Sequence, residues 1–500
     1  MKKLIFLMFG ALCLLIASCS KDSGFYPGLD SSLALSRGYP AHGPVVVVPP
    51  NKDGDDDGDT DDLMNAINSA EPGTIIKLTE GTYKVGFLEI LGFKGQIAGA
   101  GRDKTLISPD GQIEVIPQQA QPPAGLNLLP TWWRIIGGDV TISDLTFKTG
   151  DGVLISDLDE AYGKTLASLI VVNNYYEYFE KDDPQPMNFT IKNVNMVCGK
   201  IEPVEDSYLG AGYNVLMPLW MGMPYWWPPV EGIDLTKGSY NVINCYFENG
   251  FDGFEFFSLG EEATGTADRI VTNGCGYGIY CTANFNSRIS ITNSTFRNSV
   301  WYDVFIEDND WGLVGGDIAY KRCQYLLAGN TFNVSPGIQS VVFQDGRNIM
   351  YPDFNSEPTL AMIKNNVFNL KEGSSGISLL NNSDGQVRNN RFTGSGNTGV
   401  YVDGADIYNI WVNPPEFIAK GISKDALILG NNFTGLTPAT ADIVLGENSM
   451  NCTVVGNGKE SIVDNGTGNK IVGMKKHTGG YHAGPTIRDN FRMWHGMRHR

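Results

Sequence analysis

One two-part phrase recurs along the chain between residues 142 and 459. Its first half reads apolar, x, Asn or Gly, Asn, x, apolar, and its second half reads Gly, apolar, x, apolar. The clearest copies are residues 363–368 with 376–379, and residues 387–392 with 399–402. Looser first halves begin at eight apolar residues: Ile142, Ile191, Val242, Ile270, Ile291, Leu327, Ile428 and Val454. Such a recurrence indicates stacked coils of similar structure and not a globule built around one central core.

Each half of the phrase predicts a short strand, because its apolar residues alternate with other residues and one side can therefore face inward. The second halves begin at eight apolar residues: Ile233, Phe254, Ile279, Val304, Val341, Ile377, Val400 and Ile443. No helical period separates the strands, so the pattern predicts an all-β, single-stranded, right-handed parallel β-helix. We expect Asn at the bends to adopt left-handed dihedrals and to hydrogen-bond from coil to coil.

An antiparallel β-sandwich is the alternative fold. It needs hairpin turns between neighbouring strands, and Asn-Gly or Asp-Gly turns do not punctuate these units. With 60 Gly and 18% charged residues, the 500-residue chain is typical of a β-rich extracellular protein. A chain of this length is long for one compact core and natural for a solenoid. We therefore expect one elongated β-helix domain over residues 45–473.

The N-terminus has the features of a targeting signal. Lys2 and Lys3 precede an apolar run over residues 4–17, which is short for a transmembrane helix. The Ile-Ala-Ser-Cys sequence ending at Cys19 resembles the bacterial lipoprotein signal, and residues 20–22 resemble the surface-export tag of Bacteroidetes lipoproteins. This resemblance implies a signal peptide over residues 1–18, a lipid anchor at Cys19 and a tether over residues 19–44. The expected location is that of an outer membrane lipoprotein, facing the cell surface or the periplasm.

Charge is distributed unevenly along the chain. The formal net charge is −18, and the tail over residues 474–500 carries six basic residues against one acid, or +5. Lys2 and Lys3 add +2, so residues 19–473 carry −18 − 5 − 2 = −25. A body of this charge repels nucleic acid, and we expect a monomer with a flexible tail. Six cysteines lie in the body: Cys198, Cys245, Cys275, Cys281, Cys323 and Cys452. Because Cys275 and Cys281 occupy apolar positions of repeat units, we expect buried free thiols, although an exported protein could also form disulfides.

The segment over residues 58–70 predicts a short helix, since Thr and Asp residues at its start precede Leu63, Ala66 and Ile67 at helical spacing. With the strand and turn that follow, residues 58–107 resemble the opening of pectate-lyase-like β-helix proteins. In that family a short helix plugs the N-terminal end of the solenoid. Residues 53–62 also match the start of a calcium loop, but the twelfth position is Met64 in place of Glu. Calcium therefore stays a possible ligand, and no other cofactor or metal is expected.

Histidine usage excludes several reactions. The chain has five histidines, one in the leader and four in the tail, and none in the repeats. A Ser-His-Asp hydrolase or a His-ligated metal site within the coils is therefore excluded. The His-Gly and Arg-Ile-Lys motifs of polygalacturonases are also missing from the body, which argues against pectin hydrolysis.

Substrates of pectate-lyase-like proteins lie along one outer strand face, so the resemblance implies a site at the outward positions of the second halves. Three acids at such positions, near the Trp-rich segment 217–229, are the candidate catalytic residues: Asp234, Glu255 and Glu307. Five aromatic residues are expected to bind sugar rings: Trp220, Tyr225, Trp226, Trp227 and Tyr280. Trp132 and Trp133 mark a second loop of this kind. The alternative for each tryptophan is that it covers the coil wall.

Glu255 and Glu307 are predicted to lie two coils apart, which separates their backbones by about 9 to 10 Å. Inverting glycosidases separate their carboxyls by about 6.5 to 9.5 Å, and retaining enzymes by about 5 to 5.5 Å, closer to the neighbours Asp234 and Glu255. The pattern favours a glycoside hydrolase, in which one acid protonates the glycosidic oxygen and another activates water. Two alternatives stay open: a lyase with a Lys or Arg base and calcium, and a non-catalytic glycan-binding or adhesive solenoid. For the acids themselves, the alternative is a solvated acidic stripe or a cation site.

Overall fold

The computed structural model describes residues 43–51, 58–109, 112–113, 131–151, 154–155, 167–173, 187–200, 216–222, 238–257, 259–260, 263–282, 284, 287–308, 323–345, 359–409, 416–457 and 460–472. Within these ranges the chain is mostly strand, with a single helix, α1, at Gly58–Asn68. The predicted signal peptide, the lipid site Cys19 and the basic tail lie outside the described residues. In the described part, no helix is both long enough and apolar enough to cross a bilayer.

The strands follow one another in chain order. Around and after α1 they are β1 (Val45–Val48), β2 (Thr74–Leu78), β3 (Gly81–Val85), β4 (Leu88–Leu91), β5 (Lys94–Ala98), β6 (Thr105–Pro109), β7 (Gln112–Ile113), β8 (Thr131–Ile136), β9 (Gly138–Lys148), β10 (Leu154–Ile155), β11 (Ala167–Asn173), β12 (Met187–Val197) and β13 (Leu216–Gly222). The central coils contain β14 (Gly238–Ile243), β15 (Tyr246–Glu248), β16 (Asp252–Phe257), β17 (Thr264–Asp268), β18 (Val271–Asn273), β19 (Tyr277–Thr282), β20 (Arg288–Thr292), β21 (Thr295–Arg297), β22 (Tyr302–Asp308), β23 (Gln324–Ala328), β24 (Thr331–Asn333), β25 (Gln339–Asp345), β26 (Leu360–Lys364), β27 (Val367–Leu370) and β28 (Ser375–Leu380). The last coils contain β29 (Gln386–Arg388), β30 (Arg391–Gly394), β31 (Thr398–Asp403), β32 (Asp406–Asn409), β33 (Glu416–Lys420), β34 (Ser423–Lys424), β35 (Leu427–Leu429), β36 (Asn432–Leu436), β37 (Ala441–Leu445), β38 (Ser449–Met450), β39 (Thr453–Val455), β40 (Ile462–Asp464) and β41 (Lys470–Val472).

Most of these strands stack into three parallel ladders, and each complete coil contributes to all three. The first two ladders form one 23-stranded sheet because the long strands β9 and β12 belong to both, and β32 and β33 pair antiparallel outside the ladders. The first ladder runs from β1 through β14, β20 and β26 to β41, and the second runs from β3 through β15, β21 and β27 to β36. The third ladder is a separate twelve-stranded sheet in the order β4-β8-β11-β13-β16-β19-β22-β25-β28-β31-β37-β40. The structure is therefore the predicted parallel β-helix, with the right-handed course that parallel crossovers almost always take.

The apolar positions of the phrase form the core. All seven of its described second-half residues are buried in one continuous cluster: Phe254, Ile279, Val304, Val341, Ile377, Val400 and Ile443. In the second ladder, the rings of Phe332, Phe368 and Phe392 stack at centroid distances of 4.6 and 4.9 Å. One predicted copy is out of register, because Ala267 and not Ile270 pairs with Val242 and Ile291.

The Asn pair of the phrase has two separate roles. The first Asn takes the left-handed conformation, as in Asn365 (φ 56°) and Asn389 (φ 54°). The second Asn faces inward and is buried, and the Asn390 Oδ1 accepts the backbone N–H of Asn366 at 3.0 Å. Its Nδ2 donates to the backbone oxygen of Ile363 at 2.9 Å. Both predicted functions of the bend residues are therefore confirmed.

Helix α1 packs against the first coil, as expected for a plug. Leu63, Ala66 and Ile67 are buried in the core cluster. The Asp59 carboxylate accepts the backbone N–H groups of Asn51 at 2.6 Å and Lys84 at 2.7 Å, which fixes the helix start to the strands. Most of the calcium-like loop, residues 52–57, lies outside the described residues.

The loop predicted at Trp132 and Trp133 is wrong, and the thiol prediction is confirmed. Trp132 and Trp133 lie in β8, fully buried in the core, and the Trp132 Nε1 donates to the backbone oxygen of Val85 at 2.9 Å. A Trp-Trp pair beside a Pro-rich segment thus fills the interior here and lines no loop. In the described part of the chain, all six body cysteines are buried with free thiols.

Candidate active site on the third ladder

The outer face of the third ladder brings together three of the predicted site residues. Glu255, Tyr280 and Glu307 lie on β16, β19 and β22 and are absent from the core cluster that contains their inward neighbours. They are nevertheless buried, with exposed fractions of 2%, 4% and 1%. The expectation of a solvated acidic stripe is therefore wrong. Asp234, Tyr225, Trp226 and Trp227 lie outside the described residues.

Trp220 is also placed differently from the prediction. It lies in β13 instead of a loop, in register with Glu255. Its side chain is 1% exposed, and its ring is 4.8 Å from that of Phe257, centroid to centroid. Trp220 therefore covers the wall next to the acids and has little surface for a sugar ring.

A bend near the start of three neighbouring strands adds residues to this face. A Cβ on Gly253 would lie 3.0 Å from the methyl group of buried Thr272, and a Cβ on Gly278 would lie 2.7 Å from the ring of core residue Phe296. These glycine positions therefore face the interior, as do the residues that follow them. Two inward positions in succession shift the alternation, so Asp252, which precedes Gly253, lies on the same outer face as Glu255.

The same bend builds an aromatic wall beside the acids. The rings of Tyr277 and Tyr280 stack at 5.2 Å, those of Tyr302 and Phe305 at 4.8 Å, and those of Tyr280 and Phe305 at 5.5 Å, centroid to centroid. Trp301 lies at the edge of this wall, 5.0 Å from the ring of Tyr277. Its side chain is half-buried, whereas the four wall rings are buried.

Three carboxyl groups lie against the wall. The Tyr280 hydroxyl donates to the Glu307 Oε2 at 2.7 Å. Asp252 is 1% exposed, and among the described residues neither of its carboxyl oxygens has a hydrogen-bond partner. The same holds for the Glu255 Oε1 within the described chain. Buried polar atoms without partners are rare in native proteins and mark positions where a ligand, water or reaction supplies the partner.

Burial controls the protonation of these acids. It raises the pKa of Asp252 well above the usual range. It also raises the pKa of Glu255 well above the usual range, and the nearby charges of Asp252 and Glu307 raise it further. Such an environment favours the protonated carboxyl group, which is the state a general acid requires.

The spacing of the two glutamates differs from the prediction. Glu255 is in register with Tyr280 and Phe305, whereas Glu307 is in register with Thr282, two residues further along the strand. Two coils and a two-residue offset together give a backbone separation of about 12 Å. The side chains, and not the backbone positions, therefore set the distance between the carboxyls.

Four residues of the site escaped the sequence prediction: Asp252, Tyr277, Trp301 and Tyr302. A strict period-two alternation places Asp252, Tyr277 and Tyr302 inside the coil. The glycine that follows Asp252 and the glycine that follows Tyr277 were the available signals of a bend. In the described ranges, no group of three or more His, Cys, Asp and Glu residues is arranged to hold a metal ion.

The fold and this face together define the class of protein. The chain has a right-handed parallel β-helix fold, with a plug helix before its first coils and an acidic, aromatic outer face on the third ladder. No protein-family model matches the chain, and no curated protein matches it significantly.

Several solved structures have a fold similar to that of this chain. One is the A-module of a mannuronan C-5 epimerase from Azotobacter vinelandii, with 14% identity, coverage of 82% of this chain and 91% of that chain, and a TM-score of 0.36. Another is a PL6 family polysaccharide lyase from Pseudopedobacter saltans, with 12% identity, coverage of 86% and 92%, and a TM-score of 0.45. A third is the catalytic unit of a GH87 α-1,3-glucanase from Streptomyces thermodiastaticus, with 11% identity, coverage of 87% and 70%, and a TM-score of 0.33. At these identities none of the three assigns an activity to this chain.

Proposed function

We propose that the protein is a polysaccharide-active enzyme that hydrolyses glycosidic bonds at the outer face of the third ladder. The observation that carries the proposal is Glu255, a buried acid on the outer side of the sheet whose Oε1 has no hydrogen-bond partner in the described part of the chain. A carboxyl group left in this state without a ligand costs stability. Protonation of a bound glycosidic oxygen gives the group a partner and a function.

Glu255 acts as the general acid in this proposal. Burial and the nearby charges of Asp252 and Glu307 raise its pKa and so favour the protonated form that donates the proton. During bond cleavage the proton moves from the Glu255 carboxyl to the leaving glycosidic oxygen, and the carboxyl becomes a carboxylate.

Glu307 acts as the general base that activates water. The hydrogen bond from the Tyr280 hydroxyl holds its Oε2 against the aromatic wall. The backbone separation of about 12 Å between Glu255 and Glu307 leaves the distance between their carboxyls to the side chains. It accommodates a water and the about 6.5 to 9.5 Å of an inverting enzyme.

The decisive experiment compares wild type with Glu255→Gln and Glu307→Gln on a panel of polysaccharides, with separate detection of new reducing ends and of unsaturated products. Loss of either group is expected to lower turnover by about 10²- to 10⁴-fold. Glu372→Gln, which removes an exposed carboxyl in a distant turn, is the matched control and keeps full activity. Unsaturated products would indicate a lyase, and binding without any product would indicate the non-catalytic glycan-binding alternative.

We also propose that a lipid at Cys19 anchors the enzyme outside the inner membrane. The charged start, the short apolar run and the Ile-Ala-Ser-Cys sequence support this. Cys19→Ala is expected to abolish incorporation of radiolabelled palmitate and to shift the protein from the membrane fraction to the soluble fraction. Unchanged membrane association of that variant would refute the anchor.

A further inference from the structure

The coil separates charge between its ladders. Within the described strands of the third ladder there are ten acidic residues: Glu89, Asp252, Glu255, Asp303, Glu307, Asp308, Asp345, Asp403, Asp442 and Asp464. The same strands contain one basic residue, Arg134. In the first and second ladders the balance is reversed, with eleven basic and four acidic residues in their described strands. Among the described strands, those of the ladder with the candidate acids therefore carry the excess of acidic residues.

Arg134 does not offset this charge at the site. Its Nη1 is 3.3 Å from the Glu89 Oε2, so it is already paired with a carboxylate. The strand register runs Arg134, Val171, Trp220, Glu255, which places Arg134 three coils, or about 14 Å, from Glu255. A sugar carboxylate bound at the acids would thus be a buried negative charge next to three carboxyl groups, and no unpaired basic side chain of the described third-ladder strands could offset its charge.

The edge of the aromatic wall suits an uncharged ring. Trp301 is half-buried, and its ring packs against Phe251 and Tyr277 at 5.0 Å, so the two buried rings hold it in place. Val300 next to it is 45% exposed. A pre-ordered indole at the edge of a site binds the C–H face of a sugar ring at little entropic cost.

Building on the proposed hydrolase, we infer that the substrate is a neutral polysaccharide and that the indole of Trp301 stacks on one of its sugar rings beside the carboxyl cluster. Asp252 and Glu255, both more than nine-tenths buried and carrying oxygens without partners in the described chain, then receive the hydroxyl groups and the glycosidic oxygen of that sugar. The neutral ring supplies hydrogen-bond donors, whereas a uronate would add a buried charge that no nearby basic residue of the described strands offsets.

The test uses the Glu255→Gln variant, which is expected to bind substrate and turn it over slowly. Affinity electrophoresis measures how far gels that each contain one polysaccharide retard its migration. The neutral arm contains β-glucan, mannan, galactan and arabinoxylan, and the uronate arm contains alginate and polygalacturonate. Each gel is run with calcium and with a chelator. We expect retardation in at least one neutral gel in both conditions and none in the uronate gels.

The role of Trp301 is tested in the same gels. Trp301→Ala is expected to weaken binding of the neutral polysaccharide by about ten-fold, and Trp301→Phe to retain most of it, since phenylalanine keeps an aromatic face. Because Trp301→Phe conserves the packing on Tyr277, it separates a binding defect from a folding defect. Equal, undiminished binding by both variants would overturn the stacking role.

The outcomes also separate this inference from the proposed hydrolase. Retardation by neutral polysaccharide without turnover by the wild type would overturn the hydrolase and leave the neutral substrate class standing. Retardation or turnover confined to uronate polymers, with or without calcium, would overturn the neutral substrate class. Absence of binding and turnover in both arms would overturn both.

Discussion

Replacing Asp303 by asparagine is expected to remove a defined part of the pH dependence of stability. Asp303 lies in β22, between the wall residue Tyr302 and the core residue Val304, and is fully buried. Its carboxyl oxygens accept the hydroxyls of Ser299 and Ser340, each at 2.7 Å. Burial raises its pKa to about 6, although the two serine hydrogen bonds act in the opposite direction.

The magnitude follows from linkage. In the unfolded chain Asp303 ionises near its ordinary pKa of 3.8, and in the folded protein near 6. Between these values the folded state binds more protons, so rising pH favours unfolding. The stabilising contribution of Asp303 is complete below about pH 4 and is lost by about pH 7, a fall of about 3 kcal/mol at about 1.4 kcal/mol per pKa unit.

Urea unfolding followed by tryptophan fluorescence, repeated across this pH range, measures the effect. Wild type is expected to lose about 3 kcal/mol more of its free energy of unfolding than Asp303→Asn does. The asparagine folds because a serine hydroxyl can either donate to its Oδ1 or accept from its Nδ2. Glu372→Gln, with an exposed side chain, serves as the control and follows the wild-type slope. An unchanged slope in Asp303→Asn would refute the assignment.

Two further predictions concern the bend and the site. Asn390→Ala leaves the Ile363 carbonyl and two donors of Asn366 without their partner, and is expected to lower the free energy of unfolding by about 3 to 5 kcal/mol in urea titration. Its neighbour Asn389, with φ 54°, is the control, since Asn389→Gly suits a left-handed bend and should change stability by less than about 1 kcal/mol. Asp252→Asn removes a charge that raises the pKa of Glu255, so the alkaline limb of kcat/KM should move to lower pH. If the alkaline limb of the kcat/KM profile stays at the same pH in this variant, Asp252 does not act on the general acid.

The core and the bends of the coil were readable from the sequence because they depend on local chemistry. Alternation along a strand decides which residues face inward, and Val304, Val341 and Ile377 lie where the alternation placed them. The Asn pairs were equally informative, since asparagine tolerates the left-handed conformation and can hydrogen-bond to the next coil. Ile270 shows the limit: a three-residue shift to Ala267 cannot be read from apolar character alone.

The site was predicted only in part. Glu255 and Glu307 are on the predicted outer face, and their roles stay predictions. Asp252 was missed, because its position depends on a bend rather than on alternation. Trp220 was misplaced because a proline-containing segment adopts strand structure when the neighbouring coils pair with it on both sides.

What the sequence determined by itself was the coil, with its inward rows, its Asn bends and its helical plug, since each of these follows from the size, polarity and backbone freedom of residues close together in the chain. Only the tertiary structure decided which outer residues form the site. At Gly253 and Gly278 the side chains of Thr272 and Phe296, contributed by another ladder, occupy the space that a Cβ would need. Asp252 and Tyr277, which precede these glycines, lie on the outer face beside Glu255 and Tyr280. The burial of Glu255 and Glu307 likewise depends on what surrounds the face in three dimensions, so no period in the sequence could reveal it.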